Sequence, residues 1–137
     1  MDKFIVSARK YRPQNFNTVV GQNHITTTLK NAIKNNEYMF AYRITIENNN
    51  VFAVKLLNRH WFIFDSNGEH REVEGEGVVG QQPVLNAGQQ FQYSSGCNLR
   101  TEIGKMHGTY TLENLNNKQQ FAVNIPAFQM IVPTKYN

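Results

Sequence analysis

A single cysteine, Cys97, is all the thiol chemistry available in 137 residues. An internal disulfide is therefore impossible, which excludes a disulfide-stapled secreted scaffold and accords with a reducing, cytoplasmic setting. No apolar run approaches the roughly 18 residues of a membrane span, so no membrane is expected as a partner. Near the amino terminus only Phe4, Ile5 and Val6 are consecutively apolar, too few for a signal peptide. A Gly-x-x-x-x-Gly-Lys-[Ser/Thr] loop is missing, so nucleoside-triphosphate chemistry lacks its phosphate-binding lysine and its magnesium hydroxyl. With no Ser-His-Asp or Cys-His order either, neither catalysis nor a cofactor is expected. What is present, 40% hydrophobic and 18% charged residues, suits one globular domain or a domain with an appendage.

The formal net charge of +4 is unevenly placed. Residues 1–37 carry six bases (Lys3, Arg9, Lys10, Arg12, Lys30 and Lys34) against Asp2 and Glu37, whereas residues 38–137 carry eight charges of each sign. A basic start on a neutral remainder predicts a junction at residue 37. The cluster Arg9-Lys10-Tyr11-Arg12 supplies charge and one aromatic but no recognised binding fold, so nucleic acid is not the expected partner.

Periodicity changes at the same place. Asn23 can cap a helix, and Ile25, Leu29 and Ile33 recur at i, i+4 and i+8, predicting one short N-terminal helix over about residues 24–34. A helix of about 11–12 residues with three threonines would need a surface to pack on. From Tyr38 onward the pattern alternates. Phe40, Tyr42, Ile44 and Ile46 against Ala41, Arg43, Thr45 and Glu47 read as a half-buried strand. Asn48-Asn49-Asn50 turns the chain, residues 51–64 are β-rich, and Ser66-Asn67-Gly68-Glu69 marks a hairpin into His70. Residues 75–82 read as a loop. Apolar faces follow at Phe91-Tyr93, at Met106-Tyr110-Leu112 and at Phe121-Val123-Ile125, and the last run lies between Pro126 and Pro133, which predicts an edge position. Six or seven short strands predict a mainly β, antiparallel β-sandwich.

The block Arg71-Glu72-Val73-Glu74-Gly75-Glu76-Gly77-Val78-Val79-Gly80-Gln81-Gln82-Pro83 resembles the signature of the bacterial ApaG family. So do His60-Trp61, Tyr93-Ser94-Ser95-Gly96-Cys97, Gly104-Lys105-Met106-His107-Gly108-Thr109-Tyr110 and Ile125-Pro126-Ala127-Phe128, and together they cover about residues 38–137. The resemblance implies an immunoglobulin-like or fibronectin type III-like sandwich without established catalysis. It also implies a link to cobalt and magnesium resistance or efflux, and partner binding as in related domains of eukaryotic F-box proteins.

A second resemblance covers about residues 1–36. Ser7-Ala8-Arg9-Lys10-Tyr11-Arg12-Pro13, Phe16, Val19-Val20-Gly21-Gln22, His24 and Leu29-Lys30-Asn31-Ala32-Ile33 resemble the start of the bacterial DNA polymerase III clamp-loader gamma/tau subunit. The expectation is a fusion of residues 1–37 to an ApaG-like domain at 38–137, with docking to clamp-loader subunits as the alternative function. ApaG-like chains begin with a Val-Ser-Val-like strand, then a tyrosine and a proline, which Phe4-Ile5-Val6-Ser7, Tyr11 and Pro13 imitate. Residues 3–10 are therefore expected to fill a vacant edge-strand position.

Gly75-x-Gly77-x-x-Gly80 has the letters of a dinucleotide fingerprint, but no helical pattern follows it. The plain reading is a glycine-rich turn; the functional one is a loop whose amides, with Arg71, receive an anion. Glu72, Glu74 and Glu76 share a strand face, either a solvated row or one that attracts a divalent cation, with Glu76 inside the glycine stretch. His60, His70 and His107 match no zinc spacing. In Arg59-His60-Trp61-Phe62-Ile63-Phe64, inward Trp61 and Ile63 would leave Phe62 and Phe64 outward, and the reverse register would expose Trp61. Trp61, Phe62 and Phe64 are thus the candidates for binding a protein partner or a second copy in a homodimer.

Overall fold

The computed structural model describes residues 18–34 and 37–132, and every element in it is a strand: β1 Thr18–Lys34, β2 Glu37–Asn48, β3 Val54–Asp65, β4 His70–Glu76, β5 Val84–Leu85, β6 Gln90–Leu99, β7 Ile103–Asn114 and β8 Gln120–Ile131. No helix among the described residues is long and apolar enough to cross a membrane. All strand pairs are antiparallel. One sheet has the order β1-β2-β6, and the other runs β4-β3-β7-β8 with β5 pairing β3.

The inward row expected of β2 is observed, since Phe40, Tyr42, Ile44 and Ile46 are all buried, but Thr45 on the alternate face is buried as well. Met106, Tyr110 and Leu112 of β7 and Phe121, Val123 and Ile125 of β8 form corresponding buried rows. These rows meet between the sheets. Tyr42 meets the Trp61 ring edge-on at 5.7 Å and the Phe128 ring at 5.5 Å, and the Tyr93 and Tyr110 hydroxyls share a hydrogen bond. Each large apolar side chain moved into this common core contributes about 1.5–3 kcal/mol.

The helix expected over residues 24–34 is instead part of β1, which pairs with β2 from Thr18↔Asn48 to Lys34↔Glu37. Apolar residues four apart satisfy a period of two as well as one of 3.6. Thr26, Thr27 and Thr28 are β-branched and tip the balance toward extended backbone. Without β1, β2 would also present a row of unpaired amides and carbonyls. The place beside β2 is thus held by residues 18–34, and the segment at 3–10 expected there lies outside the described residues.

β8 is the outer strand of its sheet, as its prolines predict. Its register breaks between Met106↔Phe128 and Gly108↔Ile125, which places Pro126 at a bulge where no amide donor is needed.

Polar staples close the loops. The buried Asn48 amide donates to Phe52 O at 2.9 Å and Leu85 O at 3.0 Å, while its Oδ1 accepts from Asn50 N at 3.0 Å and Asn50 Nδ2 at 2.9 Å. Asn48 therefore ties the end of β2 to β5. Asn48→Ala should cost about 2–4 kcal/mol, because it strands buried polar groups. Urea unfolding should show a lower midpoint at an unchanged m-value.

Candidate functional site

Regular pairing in β3 is interrupted once, between Leu56↔Leu112 and Asn58↔Thr111, so Leu57 is an extra residue. Its carbonyl accepts from Gly77 N at 2.7 Å and from Gln82 Nε2 at 3.0 Å, while Leu56 N donates to Pro83 O at 3.0 Å. Residues 77–83 thus leave and rejoin the flank of β3 around one bulge. The extra residue also changes which side chains face inward. Val54 and Leu56 are buried before it, and Trp61 and Ile63 after it, with Arg59 on the same side as Trp61.

The loop begins at Gly77, since Gly75 and Glu76, expected in the loop, are the last residues of β4. Gly77 is held at φ 62°, and a Cβ there would lie 2.0 Å from Gln81 O. Val78 N donates to Gln81 O at 2.8 Å and Gln81 N returns to Val78 O at 2.9 Å. Between them Val79 (φ 41°) and Gly80 (φ 79°) both have positive φ, the mark of a type I′ turn. A branched residue in that region costs on the order of 1–2 kcal/mol. Gly77 and Gly80 therefore shape the hairpin while Gly75 ends β4, and no helix N-terminus of the kind a dinucleotide fingerprint needs follows them.

A cleft of about 390 Å³ opens beside this tip, between β4 and β6, the edges of the two sheets. Tyr42, Trp61, Tyr93 and Met106 form its buried floor, and Val73, Ser95, Cys97 and Val79 stand around it. Two guanidinium groups enter it. Arg59 Nη1 donates to Glu76 O and Gly77 O, both at 3.0 Å, and its planar group lies over Gly75, where a Cβ would come within 2.8 Å of Nη2. Arg71 reaches from one sheet to the other, donating through Nη2 to Asn98 O at 2.6 Å and to Cys97 Sγ at 3.5 Å. All these acceptors are neutral. The carboxylates of Glu72 and Glu74 instead meet the His60 ring, at 2.8 Å from Nε2 and 3.1 Å from Nδ1. Alternation along β4 thus sends Arg71 toward the cleft and Glu72, Glu74 and Glu76 to the opposite face.

Of the residues singled out in the sequence, Arg71, Gly80 and Trp61 line the cleft, Gly75 seats Arg59, and Glu76 contributes its backbone carbonyl. Trp61 is separated from Phe62 and Phe64. These two lie on the outer face in a ladder of rings with His60 and His107, at centroid spacings of 4.5 Å for His60–Phe62, 5.2 Å for Phe62–His107 and 5.7 Å for Phe64–His107. No group of three or more His, Cys, Asp or Glu side chains among the described residues is placed to hold a metal. Sequence reading did not single out Arg59, Tyr42, Tyr93 and Ser95 as site residues; the signals present were an arginine inside an apolar strand for Arg59 and the Tyr93-Ser94-Ser95-Gly96-Cys97 motif for Tyr93 and Ser95.

The floor is neutral at physiological pH. Burial pushes the Cys97 thiol up, with the Arg71 charge pulling partly the other way. Burial likewise raises Tyr42, against its hydrogen bond with Ser95, and raises Tyr93 and Tyr110. For each group the folded chain prefers the protonated form, so unfolding releases protons once the pH passes the ordinary value. The stability involved is intact below the ordinary thiol value of 9.0 and phenol value of 10.0, and is lost as pH rises toward the folded values. The expected slope is about 1.4 kcal/mol per pH unit per group. Urea midpoints should hold up to about pH 9 and fall above it, and Cys97→Ala should remove the earliest part of the fall.

A family model for the ApaG domain matches residues 29–114, a span that contains every cleft residue named above. Protein ApaG of Azoarcus sp. (strain BH72) is 45% identical over 100 residues, 73% of this chain and 78% of that one. Protein ApaG of Brucella canis is 49% identical over 98 residues, 72% and 75% of the two chains. Among solved structures, a Northeast Structural Genomics Consortium target superposes with a TM-score of 0.80 at 36% identity, covering 85% of this chain and 88% of its own. A Bordetella pertussis protein named ApaA gives 0.78 at 36% identity, covering 86% and 95%. Neither the family model nor these relatives supports the clamp-loader fusion expected from residues 1–36. The chain belongs to the ApaG family.

Proposed function

We propose that this chain is a non-catalytic binding module, an immunoglobulin-like or fibronectin type III-like sandwich at residues 38–137 to which residues 1–37 supply an edge strand. Its cleft takes an anionic group between Arg59 and Arg71 beside the glycine hairpin. The observation that carries the reading is the pair of guanidinium groups in one cleft whose protein acceptors are all uncharged. An uncompensated cation in a partly buried site gains more from an anion than it would in bulk water. The cobalt and magnesium link implied by the family then reflects a process that binding serves, with ion handling left to other proteins. The replication alternative, docking through residues 1–36, is weakened because residues 18–34 are already engaged with β2.

A second reading rests on the ring ladder, which gives the outer face of the larger sheet an aromatic surface suited to a protein partner or a second copy. Phe62→Asp separates the two. It should abolish any self-association while leaving anion binding intact, and an unchanged oligomeric state and stability would count against the ladder as an interface.

For the cleft, pyrophosphate and magnesium added separately to labelled protein should give different amide NMR responses. Pyrophosphate should shift Gly77, Val79, Gly80 and residues 95–98, and Arg71→Gln should weaken it about tenfold, as for loss of one charged hydrogen-bond donor. Shifts confined to Glu72, Glu74 and Glu76 with magnesium would overturn the reading.

A further inference from the structure

Val79 is the anomaly among the cleft residues. Its backbone lies in the left-handed region at φ 41°, where Asn or Asp before Gly80 would form the same turn with less strain. The core offers no compensation. Val78 does the packing at 0% exposure, while Val79 remains 49% exposed at the rim. An unfavourable conformation kept at the mouth of a cleft points to a contact made by that side chain. An apolar rim contact would serve no purpose for a bare inorganic anion.

The floor leads the same way. Tyr42, Trp61, Tyr93 and Met106 present rings and a thioether, with the phenols uncharged, and the guanidinium groups of Arg59 and Arg71 supply the charge above them. Such a lining sets aromatic and aliphatic side chains beside two oriented cations, and its 390 Å³ sits at the small end of the roughly 300–1,000 Å³ typical of small-molecule sites.

Resting on the anion reading above, we propose that the cleft binds a small organic acid, a ring or compact apolar body bearing one phosphate or carboxylate. The acid group pairs with the guanidinium groups, and the apolar body lies between Trp61 and Val79. Val79 is then the residue that separates organic anions from inorganic ones, and the strain of its turn is retained for that contact.

Inorganic phosphate and phenyl phosphate, titrated into the full chain by calorimetry, test this. Phenyl phosphate should bind at least about tenfold tighter than phosphate, in line with the apolar area it buries. Val79→Asn should raise Tm and bring phenyl phosphate to within about threefold of phosphate, since it removes that apolar contact. Should phosphate bind while phenyl phosphate gains nothing, or should Val79→Asn stabilise the fold yet keep the full preference, the organic-acid inference fails and the anion site stands. A Val79→Asn variant that is no more stable than the parent removes the strain premise and overturns the inference as well. Binding of neither anion would remove the anion site itself.

Discussion

The carbonyl of Leu57 organises everything around the cleft. One surplus residue in β3 frees that oxygen from the strand ladder, and the freed oxygen receives both ends of the 77–83 hairpin, through Gly77 N and Gln82 Nε2. The same surplus reverses the strand's parity. A regular β3 continuing inward from Val54 and Leu56 would send Asn58, His60 and Phe62 into the space between the sheets. With the bulge, Arg59, Trp61 and Ile63 go there, and the hairpin is already in position to meet Arg59 with the carbonyls of Glu76 and Gly77. Positioning of the loop and selection of the side chains are a single event.

Electrostatics are sorted by the pleat of β4. Successive side chains leave an edge strand on opposite faces, so a stretch that reads as mixed charge in sequence becomes cationic toward the cleft and anionic away from it. His60 holds Glu72 and Glu74 on the outer face. On the inner side, phenols and a thiol held in their protonated forms leave the guanidinium groups of Arg59 and Arg71 as the charges that line the cleft, with the Asp65 carboxylate near enough to be felt at Cys97. Arg59 is half-buried and Arg71 exposed, so the field is stronger at the Arg59 end, next to the buried floor, than at the open Arg71 end.

Much of this fold could be read from residue order, and the failures share one cause. Phe40 through Ile46, the hairpin at Asn67-Gly68, the inward rows of β7 and β8 and the edge character signalled by Pro126 all follow from short-range rules. The helix expected over 24–34 did not form because spacing by four is ambiguous between periods, and the deciding factor, an open edge on β2, is a property of the assembled sheet. Arg59 was hidden for a similar reason. Alternation predicts facing only until an extra residue intervenes, and nothing local to Leu57 announces a bulge. The glycines of 75–80 were legible as a special backbone, yet their chemical meaning depended on Arg59 and Arg71 arriving from outside the motif.

The proline bulge in β8 bears on how this molecule behaves in a crowd. An outer strand is a template on which another chain can extend the sheet, and β8 is long enough to invite that. Pro126 and the register break beside it divide the strand into halves spanning residues 120–125 and 128–131, which cannot both stay in register with one continuous incoming strand. The edge is thereby blunted against runaway strand addition and the fibrous growth that follows from it.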